Sequence, residues 1–258
     1  MREAITGGVN SPATFYILLK DAYLKPMQAI RTYLADFVSL IFPQLCPACH
    51  ASLMANEDVL CTDCLYNLPF TNFHQQPDNI VASQFWGKLN IEAAYALYYF
   101  NKGGKVQNMV HEFKYNGMQC IGNKLGNIAG KQLMQNPVFD SVDYIIPVPL
   151  HKKRLKIRGY NQSACFAEGL ADKLNGVVEL DNLIRTVATK TQTHRSRFAR
   201  FQNMQEVFAV ADPNKLAGKH ILLVDDIITT GSTLEACGIE LLKVPGLKLS
   251  IATIAYAE

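Results

Sequence analysis

A chain of 258 residues with 49% hydrophobic and 18% charged residues can build one substantial domain plus a small one, which excludes wholesale disorder. Its net charge of +3 is too mild to mark a nucleic-acid or membrane surface, so any basic site has to be local. No apolar run approaches the roughly 18 residues that cross a bilayer. The N-terminus lacks the basic start, long apolar stretch and small-residue cleavage site of a secretion signal. With seven cysteines, four of them tightly paired in sequence, the chain reads as a metal-binding protein of the reducing cytoplasm, without membrane insertion.

Residues 1–25 carry no clear periodicity. From Pro26 onward, Ile30, Tyr33, Leu34, Phe37, Val38 and Ile41 fall on one side of a helix that Pro43 ends. Its polar face holds few basic residues, which favours packing against the body over a membrane surface. Residues 1–42 are thus read as an extension with an amphipathic helix. Cys46, Cys49, Cys61 and Cys64 then spell C-x2-C, eleven residues, C-x2-C. Each pair forms a knuckle, and four thiolates can supply the tetrahedron of a closed structural zinc site; disulfides or unligated core cysteines are the competing reading. We place a zinc ribbon with little core at 43–75. Cys120, Cys165 and Cys237 stand alone on helical apolar faces and are expected in the core.

The pattern changes near Lys88. Strands are predicted at 93–100, 143–149, 221–224 and 249–256, and helices at 121–135, 161–175 and 233–244. Apolar strands alternating with amphipathic helices indicate an α/β fold over 88–258, with a mostly parallel sheet flanked by helices.

The stretch ILLVDDIITTGST (221–233) runs four apolar residues into Asp225 and Asp226, then into hydroxyls around Gly231. In such a sheet, ligands bind where loops leave the carboxyl ends of strands. Glycine-permitted turns and free N–H groups before a helix form an anion cradle, and adjacent carboxylates suit sugar hydroxyls and Mg²⁺. This run resembles the phosphoribosyl-pyrophosphate (PRPP) motif of type I phosphoribosyltransferases. YIIPVPLHKKRLKIRGYNQS (144–163), the segment 183–208 and HEFKYNG (111–117) narrow the resemblance to the ComF-type family, which joins a double zinc ribbon to such a domain and is associated with natural competence.

The resemblance implies a Mg²⁺-dependent glycosyl transfer from PRPP with release of pyrophosphate. Asp225 and Asp226 would bind the ribose hydroxyls, and Thr229, Thr230, Gly231, Ser232 and Thr233 the 5′-phosphate. Val148, Pro149, Leu150, His151, Lys152, Lys153 and Arg154 would form the pyrophosphate loop, with a plain solvated charge run as the alternative for its cations. Lys114, Arg158 and Asn161 are further candidates. Arg185, Gln192, Arg195, Arg197, Arg200 and Asn203 belong to a segment that in this superfamily is a mobile cover; an ordinary surface loop or a nucleic-acid-binding loop are its rivals. PRPP binding without turnover is a second possibility. A third is an accessory role in DNA uptake, with single-stranded DNA or competence-machinery proteins as partners.

Overall fold

The structure is a computed structural model that describes residues 42–185 and 208–257. The helix expected from Pro26, and the cover residues Gln192, Arg195, Arg197, Arg200 and Asn203, lie outside the described residues.

In chain order the elements are α1 (Thr62–Asn67), a 3-10 turn (Phe73–Gln75), α2 (Ile80–Ser83), β1 (Ala93–Phe100), α3 (Lys105–Tyr115), α4 (Gln119–Leu133), and a second 3-10 turn (Pro137–Ser141). They continue with β2 (Tyr144–Pro147), α5 (Lys152–Arg158), α6 (Gln162–Ala171), β3 (Val177–Val178), β4 (Leu183–Arg185) and β5 (Phe208–Val210). The last are α7 (Pro213–Leu216), β6 (His220–Ile228), α8 (Ser232–Leu241) and β7 (Lys248–Ala257). Five strands form one sheet in the order β1-β7-β6-β2-β3, with every pairing parallel. The strands β4 and β5 pair antiparallel as a separate two-stranded unit.

A parallel sheet covered on both faces needs strands that are apolar throughout rather than alternating. β7 meets this with eight consecutive buried residues, and β6 with five. On the helical layer, α4 and α6 approach closely because glycines line their contact. A Cβ on Gly126 would stand 2.4 Å from the Phe166 carbonyl oxygen, and one on Gly169 would stand 2.2 Å from that of Asn123.

The chain leaves β2 through α6 to β3 on one side, and leaves β6 through α8 to β7 on the other. The topological switch therefore falls between β2 and β6. Their carboxyl ends, at Pro147 and Ile228, flank the crevice where this architecture places ligands.

Three expectations need correction. The strand expected to stop at Val224 continues through Ile228, because β7 is long enough to pair Ile227 with Ala255 and Ile228 with Tyr256. Asp225 and Asp226 thus sit within the strand rather than beyond it. Cys120 is exposed, since Ile121, one position on, takes the inward phase of α4. The segment 43–75 contributes real core: Cys46, Ala48, Leu60, Cys64, Leu68 and Phe73 are buried and continuous with the main cluster. Phe70 also bridges to Tyr98 of β1, and the two rings pack at 4.8 Å.

Candidate functional site

The acid pair is fixed by three elements distant in sequence. Asn161 precedes α6 and caps it, its Oδ1 accepting from the Ser163 N–H while its Nδ2 donates to the Val148 carbonyl. This ties the β2 loop to the start of α6 and aims the Ser163 hydroxyl at Asp225 Oδ1, 2.9 Å away. The same oxygen accepts from the Asp226 N–H at 2.8 Å. From the other side, the last turn of α3 brings Lys114 Nζ to 2.7 Å from Asp226 Oδ2, with both side chains less than a fifth exposed. Burial, then the charge of Asp226, pushes the Asp225 carboxyl up to about 7; the two hydrogen bonds and Lys114 only partly offset this. An acid held at such cost is matched to a partner that brings hydroxyl donors or a cation.

Beyond Ile228 the chain turns through Thr229, Thr230 and Gly231 into α8. Gly231 lies at φ +70°, a left-handed conformation open to glycine, and the N-terminus of α8 has no side-chain cap. A small cavity of ≈ 40 Å³ opens at this end of the helix, lined by Asp225 and residues 227–234. Thr229, Thr230, Ser232 and Thr233 are all exposed around it, and Thr230 Oγ1 donates to Ser232 Oγ at 3.2 Å. Uncapped N–H groups, hydroxyls and the positive end of a helix dipole are features that suit an anion. Gln84, which sequence reasoning missed, clamps this turn from outside by donating to the Thr229 carbonyl at 2.9 Å. Separated from Thr229 by 145 positions, it leaves no local signal.

The cationic loop is shorter than expected. Val148 N–H pairs with Val224 of β6, and no peptide bond there is cis. After Pro149 and Leu150, His151 caps α5 by accepting from the Lys153 N–H, so Lys152, Lys153 and Arg154 form the first turn of a helix. All three are exposed. Arg185 ends β4 and stacks on the Phe208 ring at 5.4 Å; burial, then the nearby Arg154 charge, lowers its pKa. Arg158 donates to Gln162 at the start of α6.

A second site gathers Cys46, Cys49, Cys61 and Cys64, whose sulfurs lie within 4.8 Å of one another with no disulfide among them. Cys49 Sγ and Cys61 Sγ are 3.6 Å apart. That is far beyond a disulfide bond of about 2.05 Å. It is close to the roughly 3.8 Å edge of a tetrahedron with Zn–S near 2.3 Å. Burial raises Cys46, but backbone N–H groups of Cys61, Cys49 and Ala48 outweigh it and leave this thiol at about 7; burial and the neighbouring sulfurs push Cys61 and Cys64 up. Four crowded sulfurs that cannot all ionise alone are the donor set a dication stabilises. The cluster is compatible with structural zinc.

Comparison with known proteins agrees. The family model described as phosphoribosyl transferase domain matches residues 161–258, from α6 to the end. The DNA utilization protein YhgH of Shigella flexneri is 28% identical over 199 residues, 73% of this chain and 80% of that protein. Competence protein F of Haemophilus influenzae is 32% identical over 151 residues, 54% of this chain and 66% of that one. Competence protein ComFC of Bacillus subtilis is 31% identical over 92 residues, 35% of each chain. With a four-cysteine cluster ahead of a parallel sheet whose acid pair and glycine turn lie at the switch point, the chain belongs to the ComF-type family, carrying a phosphoribosyltransferase domain.

Proposed function

We propose that this protein binds PRPP with Mg²⁺ and transfers its 5-phosphoribosyl group to an acceptor nitrogen, releasing pyrophosphate. One observation carries the reading: a half-buried acid pair adjoins, within a single strand-to-helix turn, an uncapped helix N-terminus lined by hydroxyls. That juxtaposition fits a ligand that is part sugar and part phosphate. Asp225 and Asp226 take the ribose hydroxyls, and residues 229–233 take the 5′-phosphate. The cations after β2, together with Arg185, neutralise the departing pyrophosphate. Mg²⁺ held with the ligand at the acid pair would add charge neutralisation. The chain offers positioning and electrostatics rather than a nucleophile. On this reading residues 43–75 form a zinc-bearing structural unit and residues 88–258 the transferase domain. Calorimetry with PRPP should show binding that depends on Mg²⁺, and pyrophosphate release with a panel of bases should show turnover. Binding without release would make the protein a PRPP sensor, and no binding would remove the reading.

A second reading, contact with single-stranded DNA, is favoured by α5. Five of its seven residues are cations, none of the seven is buried, and none of the five forms an ion pair with a described residue. Ile157 is 79% exposed beside them. Neutralising Lys152, Lys153 and Lys156 together should lower the log–log salt slope of oligonucleotide binding by about 2. An unchanged slope would discard this reading. Among the described residues no helix is long and apolar enough to cross a membrane.

A further inference from the structure

The residue after Lys114 lies mostly outside the core. Tyr115 closes α3 with 60% of its surface exposed, while Lys114 beside it reaches the acid pair. Its ring does not stand alone. The Arg158 guanidinium lies over it at 5.7 Å, and the His111 ring packs at 4.9 Å with a tilt of 44°. Arg158 is in turn anchored to Gln162, the neighbour of the Ser163 that bonds Asp225. Both ends of this aromatic and cationic stack are therefore tied, one residue removed in each case, to the carboxylates assigned to ribose. A solvent-facing tyrosine in this setting costs exposed apolar area and gains nothing for the core. Aromatic and guanidinium planes at a site edge are the surfaces on which nucleobases lie.

We propose that Tyr115, backed by Arg158 and His111, is the platform for the planar nitrogenous base that stands next to the ribose, as acceptor before transfer and as the base of a nucleoside 5′-monophosphate afterwards. The inference rests on the phosphoribosyl reading of the acid pair and cradle, and it specifies the acceptor class as a flat heterocycle rather than an aliphatic amine. Arg158 stacks on the tyrosine and offers N–H donors to ring nitrogens or carbonyls.

The probes are ribose 5-phosphate and AMP, which share sugar and phosphate and differ by the base. A base stacked on an aromatic ring typically contributes about 5- to 150-fold in affinity. Calorimetry on the full chain should therefore find AMP tighter than ribose 5-phosphate by a factor in that range. The AMP to ribose 5-phosphate affinity ratio should fall to about one in Tyr115→Ala and persist in Tyr115→Phe, which keeps the ring. A ratio unchanged in Tyr115→Ala, or near one in the wild type, overturns the platform while leaving the sugar-phosphate site standing. Failure of both probes to bind overturns the phosphoribosyl reading and the platform with it. A third arm uses an unphosphorylated oligodeoxyadenylate. If Tyr115→Ala weakens only that ligand, the ring serves a nucleic-acid strand and the proposal is wrong.

Discussion

Asp225→Asn separates what the acid pair costs the fold from what it does for a ligand. The carboxyl is buried and ionises near 7 instead of near 3.8. Between those values the folded chain holds a proton that the unfolded chain has released, so folding stability falls as pH rises through this window and levels off above it. A difference of that size corresponds to on the order of 4 kcal/mol at pH 8, an upper bound because Asp226, Lys114, Ser163 and Cys237 all bear on the same group. Asparagine keeps the Oδ1 that accepts from Ser163 and from the Asp226 N–H, and it removes the charge. The variant should therefore be more stable than wild type at pH 8, by about 1–3 kcal/mol after relaxation. Urea titrations between pH 4.5 and 8 should show the two stabilities converging as pH falls and separating as it rises. In the opposite direction, PRPP affinity with Mg²⁺ should drop roughly ten- to a hundredfold, the usual loss for one hydrogen-bonded charge. A stability gap independent of pH, or a variant less stable at pH 8, would refute the assignment of a strained carboxylate.

Purified reduced protein should carry one zinc per cysteine quartet by elemental analysis, and Cys61→Ser should release it. Because Leu60, Cys64 and Phe73 share the core of the sheet, that loss should lower the melting temperature of the whole chain rather than of the N-terminal part alone. Gly169→Ala should destabilise by about 1–3 kcal/mol or more in urea, since its Cβ would stand 2.2 Å from the Asn123 carbonyl oxygen, and backbone cannot step aside as a flexible side chain can. A neutral Gly169→Ala would mean α4 and α6 are not packed this closely.

The parallel sheet was legible because its central strands carry long, mostly apolar buried runs, and β1 matches the predicted 93–100 residue for residue. The acid pair and the glycine turn after it were legible as a unit for another reason: one strand and one turn supply both, so their order survives in the linear sequence. What stayed hidden is what the fold brings from afar. Ser163 and Lys114 meet Asp225 and Asp226 across 62 and 112 positions, and no spacing rule reports such meetings. The helix α5 escaped because it buries nothing, so it has no inward phase for periodicity to detect. The strands β4 and β5, three residues each, are too short for any period. Cys120 shows the limit from the other side: a shift of one residue in helical phase turns a core position outward.

The path from the cysteine cluster to β1 explains why the two sites belong to one structure. After α2 the chain does not enter the sheet at once; it runs along α8. Gln84 donates to the Thr229 carbonyl, and the Phe85 ring lies 3.3 Å from where a Cβ on Gly231 would be. Lys88 pairs with Glu235 at 3.2 Å, and Leu89 fills the space left open by Gly238. Gly231 is therefore favoured by its left-handed backbone, and a Cβ there would also crowd the Phe85 ring. The Gln84 bond thus holds the Thr229 carbonyl, and with it the turn. The clamp depends on where residues 79–89 begin. They are held by Asn79, whose Nδ2 donates to the Ala94 carbonyl, and by Thr71, whose hydroxyl donates to the Ala96 carbonyl. Those bonds continue the packing that starts at the buried thiols. The chain between the cysteine cluster and β1 thus packs against the turn after β6 and shares its core with the sheet.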